Sequence, residues 1–400
     1  MSVFQPSEII LKKYADTLVN FALNSGQGVH PGEVVLLNVP ESAKPLLIHL
    51  HRAVLQSGAH PIIEFIPDGI SRDFFEIAST DQISFFPKQF LKGKVQQADH
   101  FLFILAETDL HELEGIDPKK IISKRKSLKP YYEWRDKKEQ ENKFTWTIGL
   151  YPTEAMAIEA GLSLENCWQQ VINACFLDHE YPLVKWQQVF SEIHNIKAKL
   201  NNLKIKSVNI KSDNTDLNIG IGDSRRWSGG DGRNIPSFEI FTSPNWRQVD
   251  GYISFDQPLY RYGNIIRNIY LEFKKGKIIK ATAAQGQELL LEMIKTKNAD
   301  KLGEFSLTDK RFSKISKFMA ETLYDENFGG DFGNTHIALG ASFKECYSGS
   351  EKLKKSDWNK IGFNDSVIHT DIVSTKNRIV TAKTSDGNEI VIYQNGQFTL

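Results

Sequence analysis

Residues 33–66 read EVVLLNVPESAKPLLIHLHRAVLQSGAHPIIEFI, and this stretch decides the fold of the N-terminal half. Glu33 to Val39 is a short, nearly continuous apolar run, the pattern of a strand covered on both faces. Ser42 to Ser57 then changes to helical spacing, with Leu46, Leu47, Leu50, Ala53, Val54 and Leu55 turned inward, and Gly58 stops it. His60 to Ile66 is a second apolar run of strand length. Strand, helix and strand joined by short connections give a crossover unit, whose two strands lie parallel.

Working outward, Ile9, Ile10, Tyr14, Leu18, Val19 and Ala22 recur at helical spacing upstream, and His30-Pro31-Gly32 breaks the chain before the first strand. Asp99 to Leu105 (DHFLFIL) supplies a third strand. The N-terminal half is therefore expected to be an α/β domain with a mainly parallel sheet. Asp68-Gly69 stands alone, so no phosphate-cradling loop accompanies that sheet. Residues 117–145 are densely charged and read as a solvated helix with a loop. Residues 164–203 read as two helices, the second being long and amphipathic from Pro182 to Leu203.

After about residue 204 the pattern changes to alternation. Ser207 to Ile221, Gly251 to Phe255, Asn268 to Phe273, Lys277 to Thr282 and Asn388 to Tyr393 alternate apolar and polar residues, with turns such as Lys275-Gly276 and Asn395-Gly396 between runs. This half is expected to be an α+β domain with a large, mostly antiparallel sheet and helices over Gln285 to Thr296 and Thr308 to Ala320. The boundary is drawn at 190/191, giving domains 1–190 and 191–400. A chain of 400 residues exceeds what one hydrophobic core usually serves.

Lys+Arg and Asp+Glu both number 49, so the formal charge is zero. Nucleic acid and anionic membrane surfaces usually demand a basic excess, and neither is expected as a partner. Cys167, Cys175 and Cys346 make no paired framework and read as reduced thiols. The first residues lack a charged-then-apolar leader pattern, and no apolar run reaches the ~20 residues of a membrane span. A cytoplasmic protein is expected.

Three places in the C-terminal half carry unusual chemistry. RRWSGGDGRNIPSFEIFTSP (225–244) gathers Gly229, Gly230, Gly232, Pro236 and Pro244 around Glu239, which suits either a functional loop or a long surface loop. In DSVIHTDIV, His369 and Asp371 are two apart, so a strand presents both on one face, an imidazole beside a carboxylate, as divalent zinc, cobalt or manganese accept. His336 opens the apolar run of GNTHIALG, and Glu304 opens that of KLGEFSL; each is either a ligand or an ordinary polar residue. HExxH, paired CxxC and GxSxG patterns are all absent.

Together these blocks resemble a known family. LKKYADTLVNFALN (11–24), PGEVVLLNVP (31–40), FFEIA (74–78), DLNIGIGDSRRWSGGDGRNIPSFEIFTSP (216–244), LGEFSL (302–307), NTHIALG (334–340) and FNDSVIHTDIV (363–373) are similar, in order and spacing, to the bacterial metalloaminopeptidases that include aminopeptidases T and S. The resemblance implies two domains with a two-metal site in the second. Its ligand positions fall on Glu239, Glu304, His336, His369 and Asp371. It implies two divalent ions, cobalt, zinc or manganese with magnesium as a further option, and a peptide substrate with a free N-terminus. It implies Glu304 and Glu239 as the catalytic carboxylates, and a homodimer. One position departs: the family's usual tyrosine, seven residues after the metal-binding histidine, is Phe343 here, and a phenyl ring donates no hydrogen bond. Tyr347 is the nearest candidate substitute. A dipeptidase or amidase on the same ligands, and a non-catalytic homologue that binds metal and peptide, are the competing expectations.

Overall fold

The computed structural model describes residues 4–261, 264–351 and 353–400. The chain divides into two compact units, Met1–Gln187 with Asp231–Pro236, and Gln188–Gly230 with Ser237–Leu400. The short second segment of the first unit is tied by its backbone: Ile148 N–H donates to the Arg233 carbonyl and Ile235 N–H to that of Ile148.

In the first unit, strands β1 (Val34–Pro40), β2 (His60–Ile66), β3 (His100–Leu105) and β4 (Thr145–Leu150) form one sheet in the order β2-β1-β3-β4. Every pairing is parallel, as the strand–helix–strand reading requires. The crossover helix Lys44–Gln56 buries Leu46, His49, Leu50, Ala53 and Val54. Each fully buried Leu or Val there stabilises the unit by ~2 kcal/mol. Leu55, expected inward, is 52% exposed. The buried stripe steps by three or four residues from Leu46 through Leu50 to Val54, which leaves position 55 off the stripe. Ile9 is likewise exposed, on a helix Glu8–Thr17 whose buried face carries Leu11, Tyr14 and Ala15. The helical path continues over Leu18–Ala22 as a wider π turn. Gly58 follows the crossover helix with φ +77°, and the charged 117–145 stretch forms two helices, Pro118–Ser127 and Lys129–Gln140.

The strands of the second unit are, in chain order, β5 (Ile205–Ser212), β6 (Thr215–Gly220), β7 (Glu239–Thr242), β8 (Val249–Phe255), β9 (Leu259–Arg261), β10 (Asn264–Ile266), β11 (Ile269–Lys274) and β12 (Lys277–Thr282). They continue with β13 (Leu302–Thr308), β14 (Asn334–Gly340), β15 (His369–Ser374), β16 (Ile379–Thr384), β17 (Glu389–Gln394) and β18 (Gln397–Phe398). The antiparallel character is divided between two larger sheets. One has eight strands in the order β12-β11-β8-β6-β5-β16-β17-β18; the other has four, β15-β14-β13-β7, and β9 pairs with β10 in a small ribbon. Lys275-Gly276 and Asn395-Gly396 both take positive φ at each residue, the two-residue hairpin turn that matches strand twist.

The helix expected over Thr308 to Ala320 is absent. β13 runs through Thr308, and the segment after it is an irregular path that buries Phe312, Ile315 and Met319. Its polar groups bond elsewhere. The Asp309 carboxylate accepts from Arg311 N–H and Phe398 N–H, Lys310 N–H donates to the Gly396 carbonyl, and the Ile315 carbonyl accepts from Gly329 N–H. A ladder of bonds within a helix would compete with these tertiary ones. The helix expected over Gln285 to Thr296 does form, as Gln287–Lys295.

Candidate metal centre

The four-stranded sheet collects the candidate residues. In the β13–β14 register Ser306 lies opposite His336 and Glu304 opposite Ala338. In β7–β13 Glu239 lies opposite Thr308, and in β14–β15 Asp371 lies opposite Ala338 and His369 opposite Gly340. Opposed residues share a face and alternate residues return to it, so Glu239, Glu304, His336, His369 and Asp371 all stand on one side of this sheet.

A bulge makes this possible on β13. The register shifts by one between Leu302 and Glu304, leaving Gly303 unpaired. Leu302 thereby faces Leu339 on the apolar side while Glu304 faces the charged side. A Cβ at position 303 would sit 2.2 Å from the Ala341 carbonyl oxygen and 2.6 Å from that of Gly340, so the bulge demands glycine.

The polar atoms converge closely. His336 Nε2 lies 3.2 Å from Glu239 Oε2 and 3.3 Å from Glu304 Oε1. His369 Nε2 lies 3.2 Å from Glu304 Oε2 and 3.3 Å from Asp371 Oδ1. Two groups can each hold a cation, Glu239–Glu304–His336 and Glu304–His369–Asp371, with ligand atoms inside each group within 4.8 Å of one another. Glu304 belongs to both. The surroundings orient the ligands: Ser306 Oγ–H donates to Glu239 Oε2 at 3.0 Å, and His369 Nδ1 lies 2.8 Å from the Ala341 carbonyl, leaving Nε2 turned to the carboxylates. His336 Nδ1 has no hydrogen-bond partner among the described residues.

Sequence reasoning missed Glu326. It follows the short helix Thr322–Asp325, and its backbone carbonyl is held by Asn334 Nδ2 at 3.0 Å. Its carboxyl is pushed well above the ordinary range by burial, and then by the charges of Glu239 and Asp371. A fourth acidic group thus faces the same cluster. Nothing in TLYDENF has a period or spacing that singles it out.

The electrostatics of the cluster fit a cation. Burial raises the Glu239 pKa, with His336 opposing and Glu304 and Asp371 reinforcing the rise. Burial acts to lower the pKa of both histidines, yet Glu239 and Glu304 lift His336 well above the usual imidazole value, and Asp371 and Glu304 do the same for His369. Burial acts to raise Asp371, but His369, then His336 and Arg261, bring it below the ordinary carboxylate value. Carboxylates this close repel one another, and without cations protons on the histidines and on the raised carboxyls relieve the repulsion. Imidazole nitrogen with carboxylate oxygen is the donor set of zinc, cobalt or manganese, so the residues fit divalent metal.

Phe343 stands at this cluster. Its ring centroid is 4.5 Å from that of His369, and the side chain is 41% exposed. Tyr347 lies elsewhere: its ring packs on Trp358 and Phe363, and a Cβ on Gly349 would fall 2.0 Å from its hydroxyl. Within the 225–244 stretch, Arg225 braces the backbone through the Ser243 and Ile361 carbonyls, 2.7 Å each, with its guanidinium 3.8 Å above the Phe363 ring.

This sheet and its donor set define a candidate centre for divalent metal. The profile of the thermophilic metalloprotease family (M29) matches residues 7–398, and the chain belongs to that family. It is 25% identical over 407 residues to aminopeptidase AmpS of Bacillus subtilis, covering 96% of this chain and 98% of that one. It is also 25% identical over 411 residues to aminopeptidase T of Thermus thermophilus, covering 97% and 99%. The solved structure of wild-type AmpT from Thermus thermophilus superposes with a TM-score of 0.84 at 23% identity, covering 98% of this chain and 99% of that one, and shares the fold.

Proposed function

We propose that the protein is a metal-dependent aminopeptidase that removes N-terminal residues from short peptides, using two divalent ions. The observation that carries this reading is Glu304, whose two oxygens face different histidines, 3.3 Å from His336 and 3.2 Å from His369. A carboxylate so placed suits a bridge between two ions.

Glu239 and His336 would hold one ion and His369 with Asp371 the other, with Glu304 common to both. Divalent ions supply Lewis-acid polarisation of a peptide carbonyl and lower the pKa of water. The chain's own residues do the rest. Ser306 fixes the Glu239 carboxylate and the Ala341 carbonyl fixes the His369 ring, and Glu304 and Glu239 are the carboxylates assigned to carry a proton from water to the departing amine. Asp371, held ionised beside His369, adds negative charge that would favour a substrate α-ammonium and so a free N-terminus. Three buried free cysteines suit a reducing compartment, and a cytoplasmic location belongs to this proposal. A homodimer belongs to the same proposal.

The test is hydrolysis of aminoacyl-p-nitroanilides by EDTA-stripped protein, before and after cobalt, zinc or manganese. Activity restored by metal and lost on N-acetylated substrates is the expected result. Activity indifferent to chelation would sink the reading. One observation favours a second reading, a dipeptide-restricted or non-catalytic homologue: Phe343 brings no donor to the His369 side of the cluster. Folded protein that binds metal but hydrolyses neither anilides nor dipeptides would favour the non-catalytic form.

A further inference from the structure

A groove in the first unit is lined by charges of both signs. Its walls are the helix Glu8–Thr17 and the crossover helix Lys44–Gln56, and its volume is about 370 Å³. Glu8, Lys12 and Asp16 follow one another at intervals of four, on one face of the first helix. His49, Arg52, Ala53 and Gln56 complete the lining from the second. The exposed Ile9 and the buried Ala53 supply its apolar part.

The two carboxylates differ in what they already hold. Glu8 Oε2 lies 3.0 Å from Nε2 of the buried His49, so that carboxylate is engaged. Asp16 is half-buried, and its only hydrogen bond among the described residues comes from Asn20 Nδ2 at a long 3.5 Å. Burial pushes the Asp16 carboxyl up, with the charges of Lys12 and His49 opposing. A carboxylate partly withdrawn from water gains from a cation brought to it. Lysine four residues before an acid is the weaker order on a helix, and Lys12 forms no ion pair with Asp16. Arg52 is exposed and makes no hydrogen bond, ion pair or ring contact among the described residues. The groove therefore presents one carboxylate without a paired cation, and two cations, Lys12 and Arg52, without a paired anion.

A ligand that answers both carries an ammonium and a carboxylate on one small frame. A simple anion is repelled by Asp16, and a simple amine leaves both cations unused. We propose that this groove binds a free α-amino acid, with its ammonium on Asp16, its carboxylate on Arg52 and Lys12, and an aliphatic side chain on Ile9 and Ala53. Arginine suits the carboxylate because its planar fork meets both oxygens. The inference goes beyond the aminopeptidase reading and does not depend on it, although free amino acids are what such a reaction releases. All of the lining residues fall between Glu8 and Gln56, so none is a candidate metal ligand.

The probe is leucine, titrated calorimetrically into EDTA-stripped protein. Leucinamide, which lacks the carboxylate, and N-acetylleucine, which lacks the ammonium, are titrated beside it. Leucine is expected to bind at least about tenfold tighter than either, the range of one hydrogen bond to a charged group. D16N and R52M each weaken leucine by a similar factor, and E304Q, which alters the candidate metal centre, leaves leucine binding as in the parent. R52M changes an exposed side chain, so it reports even where D16N fails to fold. No binding at about 10 mM leucine, where even a weak site is occupied, overturns the proposal. Equal binding of N-acetylleucine overturns it too, by making the groove a plain anion patch. Leucine binding unchanged in R52M overturns it by putting the ligand elsewhere. The titration uses neither metal nor turnover, so failure of the aminopeptidase reading would leave its outcome untouched.

Discussion

The ring of Phe343 lies 4.5 Å from the ring of His369, tilted 48° to it, at the exposed rim of a buried carboxylate–histidine cluster. A hydroxyl added to that ring is the smallest change that brings a donor to the site. Removing one oxyanion donor costs hydrolases ~100-fold or more in turnover. Phe343→Tyr is therefore expected to raise kcat on aminoacyl-p-nitroanilides by about tenfold or more with little change in KM. Steady-state kinetics of both proteins under the same metal loading decide this, and an equal kcat would clear Phe343 as the limiting feature.

Glu304→Gln removes a charge that both histidines use. Turnover is expected to vanish, and bound metal per chain to fall, because both candidate ligand groups contain this residue. Metal content after dialysis, measured by atomic emission, reads the second effect without any activity. Full metal content together with normal turnover would remove Glu304 from the mechanism.

Gly303→Ala acts through the bulge. The added Cβ meets the Ala341 carbonyl at 2.2 Å, and rigid backbone must move to admit it. A loss of ~2 kcal/mol, typical of overpacking a tight interior, is expected in urea unfolding. Metal content should fall as well, since Glu304 shifts with the bulge. A variant as stable as the parent would show that the register at β13 is less constrained than the contact implies.

Acid should destabilise the first unit by a route separate from the candidate metal ligands. His100, buried on β3, is held below the ordinary imidazole value chiefly by burial, with Glu33 opposing; its Nε2 lies 2.9 Å from Glu33 Oε2. Burial acts to raise Glu33, but the His30 N–H and the His100 side chain bring it below its usual value. Both native values are depressed relative to the unfolded chain. The stability they contribute is present above the unfolded values and is lost as pH falls, from 6.5 downward for His100 and from 4.5 downward for Glu33. Melting temperature followed from about pH 7.5 to about pH 4 should decline, and His100→Gln should flatten the upper part of that decline. An identical profile in the variant would assign the acid sensitivity elsewhere.

How much of this is legible in the sequence differs by element. β1, β2 and β3 are visible because parallel strands are apolar runs bounded by turn residues. His369 and Asp371 are visible because a strand's period of two fixes their common face. Phe312, Ile315 and Met319 show why periodicity misleads: they are spaced as on a helix and all are buried, yet Asp309, Lys310 and Ile315 direct their polar groups to distant segments. Glu326 is invisible because its place depends on side-chain hydrogen bonds from Asn334 and Thr308 to its backbone carbonyl, which no local pattern encodes. The face on which Glu304 stands depends on one unpaired glycine, and a register shift leaves no mark on composition.

The eight-stranded sheet has a consequence for biosynthesis. β5 and β6, near the start of the second unit, are neighbours in that sheet, but the other side of β5 is taken by β16, residues 379–384. During translation β5 waits with one edge open until nearly the whole polypeptide has left the ribosome. Asp371 emerges just before β16, so ion capture and sheet closure fall within the same short interval. A nascent chain stalled upstream would offer that edge to other chains, and would be a natural client for chaperones.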